Sequence, residues 1–461
     1  MEQIEIVCGT TMVPVAHDDL LTVVQQDISL PIDVEPDLAA GVRRALQSPL
    51  DRPPLPEMVG AGKTVTVAFD DPTVPCYAPI WQEALDKIVE QLIAGGVAER
   101  DITLVCANAL HRQFTHDELA RTIGPGLVER FGDRLLCHDA EDSENIVSLG
   151  TTPNGYSVEL NRRAVETDLC VYLNTVCWRA FNGGWKSICV GLSTYESIRH
   201  HHTPGAMSMS TEKNLMHEIL DEMGALCEQQ LGADHFFKIE TVLANPLELG
   251  SMWAGSIGAT RAKVLELQAA RGRTRRSLVE ERADIVCYGV PEWSPYAAFA
   301  SMNPLLTLVS TGLGYLGGVI EALGKPGCSV VLATPCPEEW DEQHHPSYRE
   351  VWDHILTETR DPHEIRERYE EEYSRRRPYL DKYRFEFGFH PVHGIMATYP
   401  LKRLEHAARV YVAHAESPQL VEHLGFIPTD TVDDAIERAR AIHGRDATVA
   451  LVRYPMAVNR Q

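Results

Sequence analysis

Short apolar runs alternate with amphipathic stretches along most of the chain. "TVTVAFDD", Thr64 to Asp71, has the pattern of a buried strand. "APIWQEALDKIVEQLIAGG" follows it, with Leu85, Ile88, Val89, Leu92 and Ile93 at helical spacing and Gly95-Gly96 as a stop. "DITLVCAN" predicts the next strand. The helix after it begins at Thr115, with Glu118 three residues on as the partner of a capping box. "DLCVYLNTV" is a further buried strand. Strand and helix in alternation predict an α/β domain with a largely parallel sheet.

From Ala262 to Arg282 the texture changes to a long, charged helical segment. A second series then runs through "ADIVCYGV", "LLTLVSTGLGYLGGVIEALGKPG" and "CSVVLATPC", with late strands at "ARVYVAHA" and "ATVALVRYP". "RDPHEIRERYEEEYSRRRPYLDKYR" predicts a solvated helix with opposite charges at helical spacing. The expected architecture is two α/β domains, residues 1–270 and 271–461, with the active site in the cleft between them. Ligands of open α/β sheets gather beyond the carboxyl ends of strands. "FDDPTVPC", "ANALHRQF" and "NTVCWRAFNGGWKS" all lie at such ends.

Composition narrows the function. A chain of 461 residues is long enough for two cores. A net charge of −24 disfavours nucleic acid and anionic membranes as partners, though a locally positive pocket still takes a small anion. No window is expected to span a bilayer, and "MEQIEIVCGTTMVPV" reads as a strand instead of a leader. The eleven cysteines are scattered, never spaced CxxC and mostly in apolar runs. They predict buried thiols in a reducing cytoplasm.

Several stretches offer chemistry. "GAGKT" at Gly60–Thr64 fails as a phosphate loop, because the first glycine would fall at Glu57 and a strand follows it. In "GGWKS", Gly183 and Gly184 let backbone approach a ligand, and Lys186 is either an anion partner or a nucleophilic amine. A plain turn with an exposed lysine explains the same residues. His200, His201 and His202 offer imidazoles for a metal, or form a surface tract. His111, just after a strand, suits a general base or a loop-stabilising side chain. Asp70 and Asp71 suit a metal, a sugar hydroxyl or a helix cap. His344-His345 is expected at the surface.

Together these stretches resemble the nickel-dependent lactate racemase family. "FDD-P", "HRQFTHDEL", "CHDAEDSENIVSLGTTPNGYSVELNRRAVETDLCVYL" and "FNGGWKSICVGLSTYESI" follow that family's motifs in order, the last with glycines, lysine, serine and glutamate in register. "ADIVCYGV" and "FGFHPVHG" match more loosely. The resemblance implies a nickel-pincer nucleotide, a pyridinium mononucleotide holding nickel through carbon and sulfur, attached to Lys186. It implies Asp70, Thr73, Gly183, Gly184 and Ser187 around that cofactor. A nickel-ligand histidine sixteen residues past the lysine falls on His202, with His200 and His201 as alternatives in register. The acid–base histidine falls on His111.

Some family positions are not kept. The second catalytic histidine falls on Val176, beside Cys177, Trp178 and Arg179. A family arginine falls on Thr73, and a Gln…Lys pair on Ala300 and Asn303. His138, His201, His390 and His393 are candidates for a second proton carrier. The expectation is a racemase or epimerase inverting a hydroxyl-bearing carbon of a 2-hydroxy acid or larger polyhydroxy acid, with lactate disfavoured. A one-base oxidoreductase, a non-catalytic cofactor-binding protein and an ordinary divalent-metal site are the alternatives. A small hydroxylated molecule is the expected partner, and a homo-oligomer stays open.

Overall fold

Two six-stranded sheets organise the chain. The computed structural model describes residues 3–24, 33–74, 78–176, 182–207, 215–245, 248–275 and 281–453. They form two units: Ser29–Ala270 with Tyr383–His390, and Met1–Ile28 with Arg271–Lys382 and Pro391–Gln461.

In the first unit the strands lie in the order Glu248–Gly255, Phe236–Asn245, Leu169–Val176, Val65–Asp70, Ile102–Ala107, Leu135–Cys137. All pair in parallel except the outer hairpin of Phe236–Asn245 with Glu248–Gly255. Every residue of Val65–Asp70 and of Leu169–Val176 is buried. That is the reason their apolar runs are continuous instead of alternating. The helix His116–Ile123 starts at Thr115 with the expected capping box to Glu118.

The second unit has the order Ile427–Thr429, Ala407–Ala413, Gly324–Ala333, Ala283–Gly289, Val449–Val452, Leu21–Val24, all parallel. The expected α/β class with largely parallel sheets therefore holds for both units. The expected division at residue 270 needs two amendments. Leu21–Val24 completes the second unit's sheet, and Ile6 and Val15 of the N-terminal hairpin sit in that unit's core. Residues 383–390 pack with the first unit. Neither long-range pairing leaves a mark in local periodicity.

Two further expectations change. Leu305–Leu323 is long and apolar enough to cross a membrane, with a mean hydropathy of 1.4, but 72% of it is buried inside the protein. Its apolar surface is spent on the core of the second unit. His345 is not at the surface: it is 2% exposed and its Nε2 lies 2.8 Å from the Tyr296 carbonyl. Among the described residues, eight cysteines are buried and Cys137 is half-buried, all as free thiols.

Candidate active site

The carboxyl ends of the first unit's strands carry the candidate residues. Asp70 ends its strand with the carboxyl turned inward, accepting from Tyr172 Oη at 2.9 Å and from the Thr175 N–H at 3.2 Å. Burial pushes its pKa up to about 7, against the pull of Lys238. Asp71 faces the loop. Its Oδ1 accepts from the N–H and hydroxyl of Thr73, and its Oδ2 lies 2.7 Å from Nδ1 of His111. Thr73 Oγ1 is also 3.2 Å from that nitrogen. A proton on Nδ1 directed at a carboxylate leaves Nε2 as the basic nitrogen of the neutral ring. The ring keeps 23% of its surface, so it is accessible while its carboxylate is buried.

Arg112, next in sequence, is buried and forked onto Glu118, with distances of 2.7 and 3.2 Å. It anchors the loop to the capped helix.

Lys186 sits in the first turn of the seven-residue helix Trp185–Gly191. The turn before it uses two residues with positive φ, Gly183 at +94° and Gly184 at +57°. A Cβ on Gly183 would meet Glu240 Oε1 at 2.8 Å, Val176 Cγ2 at 3.1 Å and an Arg261 nitrogen at 3.2 Å. The glycines thus admit protein side chains from beneath, whereas the sequence suggested room for a ligand. Glu240 Oε1 accepts the Gly184 N–H at 2.5 Å, and Arg261 donates to the Asn182 carbonyl at 2.9 Å. At its other end the helix closes on Tyr172: a Cβ on Gly191 would meet Tyr172 Oη at 2.7 Å. The Gly191 carbonyl accepts the Ala109 N–H at 2.9 Å. One short helix therefore joins the Lys186 turn to the His111 loop, with roughly 8 Å of rise between Lys186 and Gly191.

The histidine triplet follows the helix Tyr195–Ile198. His200 accepts the Ser157 N–H at 3.2 Å. His201 is fully buried and its Nδ1 lies 2.7 Å from Nδ1 of His202. Ser187 Oγ is buried with no hydrogen-bond partner, and His201 Nε2 makes none of good geometry, although the Cys189 backbone carbonyl approaches the ring. Burial, then the charge of Lys186, push the His201 pKa down to about 3, so its ring stays neutral. A neutral imidazole suits a borderline divalent metal, and an unengaged hydroxyl suits a polar cofactor atom. The residues around Lys186 fit the group that the sequence implies.

Comparisons with known proteins point to one family resemblance. Residues 9–214 match the family model of the lactate racemase N-terminal domain. Over residues 9–214 the chain is similar to the N-terminal domain of lactate racemases. The lactate racemase of Thermoanaerobacterium thermosaccharolyticum is 28% identical over 185 residues, covering 38% of this chain and 42% of that protein. That of Lactiplantibacillus plantarum is 24% identical over 181 residues, 38% of this chain and 41% of the other. The match thus spans about two fifths of the length of these curated relatives. The fold extends further. The structure of the lactate racemase apoprotein from T. thermosaccharolyticum covers 99% of each chain with a TM-score of 0.70 at 20% identity. A Thermotoga maritima protein covers 89% of this chain and 94% of its own, with a TM-score of 0.52 at 13% identity.

The structure shows what occupies the positions that departed from the family pattern. Val176 is buried against Val242 and Val264. Cys177, Trp178 and Arg179 lie outside the described residues. Asn303 is buried, its Oδ1 accepting the Leu306 N–H at 2.9 Å. His138 has both ring nitrogens engaged, by the Ser193 carbonyl at 2.9 Å and Asn161 at 3.0 Å, which leaves it no proton to exchange with a substrate.

Sequence reasoning passed over Lys238, Glu240 and Arg261. Lys238 and Glu240 are fully buried on one face of the strand Phe236–Asn245, and Lys238 Nζ lies 4.2 Å above the Tyr172 ring. Lys238 Nζ and Glu240 Oε2 are both buried without a hydrogen-bond partner. Burial brings the Lys238 pKa down to about 8, with Glu240 and Asp70 opposing. The signal was present in "FFKIETVLAN", where two charges alternate inside an otherwise apolar strand. Lys238→Met leaves Glu240 and Asp70 without their buried cation. It is expected to destabilise the protein by about 3–5 kcal/mol in chemical denaturation. A loss below about 1 kcal/mol would mean that the ammonium does not offset those carboxylates.

Proposed function

We propose that this protein is a nickel-pincer-nucleotide-dependent racemase or epimerase. Its reaction inverts a hydroxyl-bearing carbon of a 2-hydroxy acid or larger polyhydroxy acid. The observation that carries the reading is a carboxylate-backed histidine, His111, tied by one short helix to Lys186, in a chain whose residues 9–214 match the lactate racemase N-terminal domain. Lys186 would hold the cofactor, with Ser187 beside it. His201, whose ring is buried and neutral beside His202, would ligate nickel. That places the metal one residue before the position given by the sixteen-residue spacing. When bound, the nickel-pincer nucleotide supplies reversible hydride acceptance.

The chain's own residues do the rest. His111 Nε2 takes the proton of the substrate hydroxyl, and Asp71 stabilises the imidazolium so formed. The proton returns from the same nitrogen. Thr73 holds the carboxylate in place through its N–H and hydroxyl. Lactate itself fits poorly. Thr73, Ala300 and Asn303 stand where the family pattern places cations or amides, and a small buried carboxylate without a cation is unfavourable. The partner is a small hydroxylated molecule, and the net charge of −24 argues against nucleic acid and anionic membranes. The compartment consistent with so many free thiols is the cytoplasm.

A second reading has a specific observation behind it. Val176 is apolar and packed, so it supplies no second proton carrier. A one-base oxidoreductase would then release an oxidised product and need a second carbonyl compound to take up the two electrons. The test is the enzyme produced with the cofactor's biosynthetic machinery and given one enantiomer or epimer of a hydroxy acid. The expected result is conversion to an equilibrium mixture of both configurations. Carbonyl compound formed in step with reduction of an added carbonyl acceptor, with retention in the residual substrate, would favour the oxidoreductase and sink the racemase.

A further inference from the structure

We propose that the segment Tyr383–His390 holds His111 in its proton-transfer position, with Tyr383 as a positioning residue acting through the backbone of Ala109. The segment is distant in sequence yet belongs to the first unit. Tyr383 is fully buried. Its hydroxyl donates to the Ala109 carbonyl at 3.2 Å and accepts the Ala140 N–H at 2.8 Å. Ala109 has a φ of +51°, a conformation that a residue with a Cβ keeps only when its surroundings impose it. Two residues on, His111 closes the same turn through its N–H to the Asn108 carbonyl at 2.7 Å.

The remaining contacts converge on the same loop. The His390 N–H donates to the Leu110 carbonyl at 3.1 Å. Gln113 Nε2 donates to the Arg384 carbonyl at 3.3 Å. Arg384 pairs with Asp139 at 3.0 Å, and His390 Nε2 lies 3.1 Å from Glu141 Oε1. Phe389 lays its ring against the His111 ring, with centroids 5.6 Å apart. Asp71 thus fixes the imidazole by one nitrogen, while the segment fixes the backbone that carries it and one side of the ring. Ala109 is also the residue that receives the helix from Lys186, through the Gly191 carbonyl. Its geometry sets His111 relative to that helix.

This inference rests on the proposed role of His111 only for its consequence in turnover; the structural claim has its own readout. The full-length protein is treated with diethyl pyrocarbonate between pH 5.5 and 8, and modification of His111 is followed by peptide mass spectrometry. The reagent attacks the unprotonated imidazole, so rate and midpoint report accessibility and basicity. Tyr383→Phe keeps the ring and loses the hydroxyl. We expect His111 to react at least threefold faster at its plateau, with its midpoint displaced toward that of Asp71→Asn. An unchanged rate and midpoint, whatever the melting temperature does, would overturn the proposal. If Tyr383→Phe does not fold, Phe389→Leu carries the test with the same expected direction, and no change there is equally fatal. If His111→Ala keeps turnover in the cofactor-loaded enzyme, the functional reading of His111 fails, while the labelling result still decides the positioning claim.

Discussion

Lys186→Ala is expected to abolish both the covalent adduct and turnover. Produced with the cofactor's biosynthetic enzymes, the wild-type protein is expected to carry a mass increment that maps to Lys186, and the alanine variant none. The reason is positional. Lys186 stands in the first turn of a helix whose entry is fixed by Gly183, Gly184 and the buried Glu240 carboxylate, so its amine is presented by a rigid base. His201 is close enough for the lysine's charge to depress its basicity. His201→Ala is therefore expected to keep the adduct and lose nickel, measured by metal analysis of the purified protein. An adduct that persists in Lys186→Ala would move the attachment elsewhere. A protein that keeps nickel without His201 would return the ligand to His202 or His200.

The parts of this arrangement that the sequence made legible are local. Buried strands, the Thr115 capping box and the Gly-Gly turn before Lys186 each depend on residues within a few positions of one another. Their period or turn chemistry is visible in one window. His111 and Lys186 were singled out for a different reason: their motifs resemble those of a family. What was missed is non-local. Leu21–Val24 pairs with Val449–Val452, and no local pattern specifies a partner some four hundred residues away. The hydroxyl of Tyr383 meets Ala109 across a separation of 274 residues. Lys238 and Glu240 broke the apolar pattern of their strand, and that inconsistency was the available sign of a polar cluster under the Lys186 turn. His345 misled for the opposite reason. It lies in a polar stretch, but the Tyr296 carbonyl satisfies it inside the second unit.

The two adjacent carboxylates, Asp70 and Asp71, divide sharply in their predicted effects. Asp71→Asn is expected to lower kcat/KM by about 10²–10⁴, with the protein still folded. Asparagine keeps an oxygen for Thr73 but can present its amide N–H to Nδ1 of His111. The imidazole then accepts at Nδ1, carries its proton on Nε2 and has lost the lone pair that takes the substrate's proton. The charge that stabilises the imidazolium is lost with it. Asp70→Asn is expected to change kcat/KM by less than about tenfold, because that carboxyl is turned under the loop toward Tyr172 and Thr175 and, with its pKa near 7, is already largely protonated in mildly acidic solution. The same pKa gives Asp70 a signature in stability. The folded form keeps its proton up to about pH 7, while the unfolded form loses it near 3.8, so Asp70 contributes stability that declines as pH rises between those values. Asp70→Asn should flatten that decline in denaturation curves, while Asp71→Asn leaves it in place. If turnover instead collapsed in Asp70→Asn and survived in Asp71→Asn, the proton-transfer machinery would have to be rebuilt around Tyr172 in place of His111.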